Sequence, residues 1–135
     1  MANTIRLEIA TPEAMVYSED VDMVTLPGVE GQMGVLPQHV RLITQLVPGE
    51  LIVHQSGRDE FMAVGEGLVE VTNERVSIVT NMAIAVDKID EVAVEEARQR
   101  AAARLREKIS SEEVASVNAS LARSLAQLNV KRRHR

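Results

Sequence analysis

The sequence predicts an all-β sandwich of about ten strands followed by an antiparallel two-helix hairpin. Two periodicities carry that expectation. Up to about Val86, apolar residues alternate with polar ones in short runs divided by Gly, Pro and Asn. From Asp90 onward there is neither Gly nor Pro, and apolar residues return every three or four positions. Alternation marks half-buried strands, and the 3.6-residue rhythm marks amphipathic helices. A third observation concerns the core. Tyr17 and Phe61 are the only aromatic residues, so it must be built from Val, Ile, Leu and Met.

Ile5, Leu7 and Ile9 share one face of a first strand that Thr11-Pro12 ends. Met15-Val16-Tyr17 reads as a short edge strand, and Val21 to Leu26 as another, stopped by Pro27-Gly28. The Gly28–Gly34 stretch reads as a tight exposed loop in which glycines take positive φ. Leu42 to Val47 is closed by Pro48-Gly49, and Leu51-Ile52-Val53 with Phe61–Val64 flanks a hairpin signal at Ser56-Gly57-Arg58-Asp59. Leu68–Val71, Val76–Val79 and Ala83–Val86 complete the strands. Asp90-Glu91 opens the first helix, with acidic residues early and basic ones late, as the helix dipole favours. Ala97, Ala101, Leu105 and Ile109 line one face. Ser110 with Glu113 signals a capping box and a second helix, its apolar stripe being Val114, Val117, Leu121, Leu125 and Leu128. That stripe is internal to the hairpin, or it docks on the sandwich or another protein. A very short turn between the helices and a frayed basic tail, Lys131–Arg135, complete the expectation. The division falls at residues 1–87 and 88–135.

Charge divides at the same seam. Residues 1–87 carry four Lys and Arg against thirteen Asp and Glu, and residues 88–135 carry eleven against seven. A basic arm on an acidic body suits an acidic protein surface. With an acidic body and almost no aromatics, nucleic-acid binding is not expected. There is no cysteine, which excludes disulfides, thiolate metal sites and cysteine nucleophiles. No apolar run approaches the ~20 residues that cross a bilayer, and the first residues lack a secretory signal, so a cytosol-like compartment is expected.

No catalytic constellation, metal site or cofactor site is expected. Gly28, Gly31 and Gly34 lack the following Lys-Ser/Thr and the helix N-terminus that a phosphate loop needs. His39 could be set against Asp59 or Glu60 for hydrolysis, but no Ser-His-Asp spacing emerges, and it reads as a structural or interface histidine.

The run Gly28-Val29-Glu30-Gly31-Gln32-Met33-Gly34-Val35-Leu36-Pro37-Gln38-His39, with Leu42-Ile43-Thr44 after it, resembles the ε subunit family of F-type ATP synthases, δ in mitochondrial naming. Gly65-Glu66-Gly67-Leu68-Val69-Glu70-Val71 is similar to a second element of that family. The resemblance implies a non-catalytic rotor subunit. Its sandwich would grip the γ subunit and stand on the c-ring. Its hairpin would reach toward the α and β subunits and inhibit ATP hydrolysis. It would sit peripherally on the cytoplasmic face of the bacterial membrane, held there through the complex. Glu30, Gly31, Gln32 and His39 then fall at the c-ring and γ contacts, and Arg100, Arg104, Arg106 and Arg123 on the regulatory arm. Arg41 stands where the family usually has Pro. Ile89 and Asp90 match part of the ATP-binding motif that some members carry, but Ala93 and Gln127 replace its arginines. A stand-alone sandwich-plus-hairpin adaptor is the alternative reading.

Overall fold

A computed structural model describes residues 3–134. Ten strands come first: β1 (Ile5–Ala10), β2 (Met15–Val21), β3 (Met23–Gly28), β4 (Gly31–Val35), β5 (Leu42–Leu46), β6 (Gly49–Gln55), β7 (Arg58–Val64), β8 (Gly67–Val71), β9 (Arg75–Thr80) and β10 (Ala83–Ala85). A 3-10 turn, Val86–Lys88, leads to α1 (Glu91–Arg104) and α2 (Ser111–Arg133). This is the sandwich followed by a helical hairpin that the two periodicities predicted.

The strands form one ladder in the order β10-β7-β6-β3-β5-β8-β9-β1-β2, with β4 added beside β3. The ladder is continuous through a single rung, Gly28 with Leu46, and there it folds over on itself. Side chains at alternate positions therefore point inward from both layers. Ile5, Leu7 and Ile9 of β1 meet Val24 and Leu26 of β3, Leu51 and Val53 of β6, and Val69 and Val71 of β8 in one buried cluster. β1 pairs antiparallel with β2 but parallel with β9. Tyr17, on β2, packs at the edge of this core. Burial, with Glu19 and Glu60 nearby, pushes its hydroxyl up to about 12 and keeps it a neutral phenol.

The glycine-rich stretch is mostly strand, which corrects the loop expectation. Gly28 pairs with Gly31 across the two-residue turn Val29-Glu30, and Gly34 lies within β4. Of the three glycines only Gly31 has positive φ, +115°. The β6–β7 hairpin turns on Ser56 and Gly57 alone, at φ +54° and +77°, the two positive values a type I′ turn requires. Arg58 and Asp59 belong to β7.

The sandwich has two outer faces with opposite fates. The hairpin covers one of them. Ala63 of β7 packs with Ile89 and Val130, and Phe61, Ile84, Val86 and Val94 close around them. The other, across β8, β9, β1 and β2, is bare. There Leu68 opposes Val79, Val79 opposes Ala10, and Ala10 opposes Met15, making one apolar row. Leu68 is 59% exposed and Val79 61%, with Ile43 on neighbouring β5 at 71%.

The helices begin where expected. Asp90 caps α1 by accepting from the Ala93 N–H at 3.1 Å, and Ser110 caps α2 by accepting from the Glu113 N–H at 3.1 Å. They end differently. α1 stops at Arg104, so the connection is six residues, 105–110, and Leu105 and Ile109 lie outside the helix. Nor is Lys131–Arg133 a frayed tail. Those residues form the last turn of α2, held by partners on three elements, while Arg135 lies outside the described residues. The buried residues of α2 are Ser124, Ala126, Leu128 and Val130. Leu125, expected in the apolar stripe, is exposed. The C-terminal half of α2 packs on a sheet as well as on α1, and serving two surfaces moves the buried face off a single helical line.

Candidate functional site

The hairpin is clamped at both ends. Near its tip, Arg104 pairs with Glu107 and, at 2.6 Å, with Glu113. At the base, Arg132 reaches Glu91 at 3.0 Å and Glu95 at 3.4 Å. These contacts define the antiparallel arrangement. Arg98 also grips Glu95 with two hydrogen bonds, 3.0 and 2.5 Å long. Those bonds above all, then the charges of Arg98 and Arg132 against a smaller desolvation effect, bring the Glu95 carboxyl from 4.5 down to about 2. A depressed carboxyl stabilises the fold fully above its unfolded value, and that contribution is lost as pH falls through the folded value. Acidification from pH 5 to pH 2 is therefore expected to loosen the hairpin. Glu95→Gln should flatten that part of the melting-temperature profile, and an unchanged acid limb in the variant would refute the assignment.

Glu30 and Gln32 stand exposed at the tip of the β3–β4 hairpin, with Gly31 between them supplying the positive φ. The exposed Val29 completes this tip, and Ile43, Thr44 and Gln45 wall a shallow hollow behind it. His39 lies in the β4–β5 connection, where its Nδ1 sits 2.8 Å from the Val40 carbonyl oxygen. Its neighbours Leu36 and Val40 are exposed. His39 is bonded to neither Asp59 nor Glu60. Asp59 instead holds His54 Nδ1 at 2.8 Å, and His54 Nε2 meets the Thr25 hydroxyl at 3.0 Å. A hydroxyl, an imidazole and a carboxylate in line have the chemistry of a hydrolytic triad. Thr25, however, sits inside β3, paired with β4 on one side and β6 on the other. A nucleophile needs a turn that presents it to a ligand. The line runs across β3, β6 and β7, where it acts as a polar rung fixing their register.

Ile89 and Asp90 are occupied structurally, Ile89 buried against Ala63 and Val130 and Asp90 as the cap of α1. Gln127 donates to the Met82 sulfur at 3.1 Å, and Arg123 to the Ser120 hydroxyl at 3.0 Å. Arg100 and Arg106 are exposed. Both lack an ion-pair partner among the described residues. The sequence reading overlooked a cluster at the base of α2. Glu50 of β6 has a side chain only 7% exposed, and it accepts from Arg133 at 2.8 Å and contacts His134. The His134 ring is stacked on Phe61, centroids 3.7 Å apart. A carboxylate placed between Gly49 and the buried run Leu51–Val53 was the signal available in the sequence.

The fold and its surfaces define a two-part docking protein, a sandwich with one face closed by its own helices and the other open to a partner. Residues 4–86 match the family described as ATP synthase, delta/epsilon chain, beta-sandwich domain. Residues 87–132 match its long alpha-helix domain. The chain belongs to the ATP synthase delta/epsilon family. It is 42% identical over 126 residues to the ATP synthase epsilon chain of Herpetosiphon aurantiacus, covering 93% of each chain. With that of Desulforamulus reducens it shares 39% over 128 residues, covering 95% of this chain and 97% of the relative. Its fold is similar to a chain in a Euglena gracilis mitochondrial ATP synthase structure containing OSCP, F1 and c-ring. The TM-score there is 0.77 at 24% identity, covering 96% of this chain and 81% of that one. A chain in the central stalk and c-ring structure of the Tetrahymena thermophila mitochondrial enzyme matches with TM-score 0.63 at 12% identity, covering 94% and 96%. Among the described residues no helix is long and apolar enough to cross a membrane.

Proposed function

We propose that this chain is a non-catalytic central-stalk subunit of an F-type ATP synthase, with residues 1–87 joining γ to the c-ring and residues 88–135 forming an arm that restrains ATP hydrolysis. The observation that carries the reading is the bare row Leu68, Val79, Ala10 and Met15 with Ile43 beside it. An apolar sheet face left open while the opposite face is covered is a protein-binding surface. We assign γ to that face. The Glu30–Gln32 tip, with His39 on the next connection, is assigned to the γ and c-ring contacts. The structural neighbours support both assignments, because they come from assemblies described as F1 with c-ring and as central stalk with c-ring. The subunit would then be peripheral on the cytoplasmic side of a bacterial membrane. In the arm, Arg100 and Arg106 are the cations available to acidic segments of α and β, with Arg123 beside them. Arg104 is engaged in holding the hairpin tip.

The natural absence of cysteine makes the test direct. Glu30→Cys and Gln32→Cys in the assembled enzyme should crosslink to cysteines in the c-subunit loops, and the chain should co-purify with γ. Co-purification without crosslinks would displace the c-ring contact. Loss of both would favour the free-standing adaptor.

Nucleotide binding by the arm is expected to be weak or absent. The positions at which ATP-binding members carry arginine hold Ala93, which is exposed, and Gln127, which is bonded to Met82. Two missing guanidiniums remove the bidentate phosphate contacts. Calorimetry on the free chain should show no sub-millimolar ATP binding, and a measurable site in that range would overturn the reading.

A further inference from the structure

The end of α2 is fastened to the sandwich in one place, and the fastening contains a titratable ring. Glu50 enters from β6, Arg133 and His134 enter from the last residues of α2 and its cap, and Phe61 of β7 lies flat beneath the imidazole. Lys131 adds a bond from its ammonium to the Val86 carbonyl at 3.1 Å, and Gln127 reaches Met82 one turn earlier. We propose that Glu50, Arg133 and His134 form a proton-sensitive latch that holds the end of α2 on the β6–β7 face most tightly when the imidazole is charged.

The electrostatics set the direction. A helix C-terminus carries partial negative charge, and here it is brought against a largely buried carboxylate. That juxtaposition is unfavourable unless cations intervene, and a buried carboxylate needs charged, hydrogen-bonded partners. Arg133 supplies one positive charge at all ordinary pH. His134 supplies a second only when protonated, and imidazole is the side chain whose charge changes between about pH 5 and 8. The neutral ring keeps its stacking on Phe61 but offers the carboxylate only an uncharged donor. Docking should therefore weaken as pH rises through that range.

Charged groups on the other elements packed against this end do not share the behaviour. Glu91 and Glu95 of α1 are paired with Arg132, while Asp87 and Lys88 of the 3-10 turn are exposed. Carboxylates and ammoniums of this kind titrate outside the window. His54, bonded to Asp59 on the same layer, is the one further imidazole there. It must be separated from His134 by mutation.

As the regulation of the arm proposed above, the latch rests on that reading, but it is tested on the isolated full-length chain without any partner. Spin labels on Asn73→Cys and Asn118→Cys, both exposed, report whether α2 lies on the sheet. The measurement is made in an Arg133→Gln background, which removes the pH-independent cation. The ratio of docked to released arm should fall by about tenfold between pH 5.5 and 8.5, the size of a one-unit difference in proton affinity. Adding His134→Gln should abolish the step, and adding His54→Gln should leave it. A step that survives His134→Gln, a step removed by His54→Gln, or a docked fraction indifferent to pH would each overturn the latch. Failure of the latch would leave co-purification with γ and the c-ring untouched. Failure of the rotor reading would appear there and leave this titration unchanged.

Discussion

Leu68→Asp combined with Val79→Asp is expected to abolish binding to γ while leaving the chain folded. The two side chains oppose each other across β8 and β9 and project from the uncovered face, so neither supports the core. Glu70, opposite Ser77 in the next row, already places one carboxylate on that face. Two more would meet any apolar partner surface with unpaired charge. Central apolar anchors of an interface are worth about 2 kcal/mol or more each, so the pair should weaken binding by roughly a hundredfold to a thousandfold. Val92→Asp, on the exposed side of α1, is the matched control and should bind normally. Competition binding to γ measures the effect. Equal affinity of the double variant and wild type would remove this face from the interface.

A second large effect is expected at Gly67, where the demand is for space and not for an unusual backbone. Gly67 lies between Leu46 of β5 and Thr80 of β9. A Cβ there would overlap the Val79 carbonyl oxygen and come within 2.9 Å of the Thr80 Cα. These are backbone atoms, so relief requires separating two paired strands. Overpacking of this kind costs about 1–3 kcal/mol, which lowers the melting temperature by roughly 5–15 °C in a chain of this size. Gly67→Ala should therefore melt well below wild type by calorimetry. A shift under 2 °C would show that β8 and β9 separate without penalty.

The strands were legible because each half-buried one repeats its code every two residues, as Ile5, Leu7 and Ile9 do. The covered and bare faces were not. Phe61 and Leu68 both lie on outward faces, and which of them the hairpin covers depends on where the ladder folds over at Gly28 and Leu46, a relation between residues distant in sequence. The caps of both helices could be read from Asp90 and Ser110, whose hydroxyl or carboxylate acts within three residues. The role of the basic tail could not, since Arg133 finds its partner at Glu50, eighty-three positions earlier. The same distance hid the pairing of Asp59 with His54 in place of His39. Imidazoles at 39 and 54 stand at similar separations from it in the chain, and only the β6–β7 register, His54 opposite Asp59, decides between them.

The parallel pairing of β1 with β9 has a consequence for how the protein is made. β1 leaves the ribosome first, and its Arg6–Ala10 segment must wait for Arg75–Val79 before its second edge is filled. At about 5–20 residues per second, that interval of roughly 70 residues lasts roughly 4–14 s. In the meantime the β1–β2 hairpin can form locally, but Ile5, Leu7 and Ile9 have no closed interior to enter. Long-range pairings of this kind slow folding, because loop closure must precede the contacts that reward it. The nascent sandwich thus closes only near the end of its own segment, and the arm is synthesised onto a sheet that has just been completed.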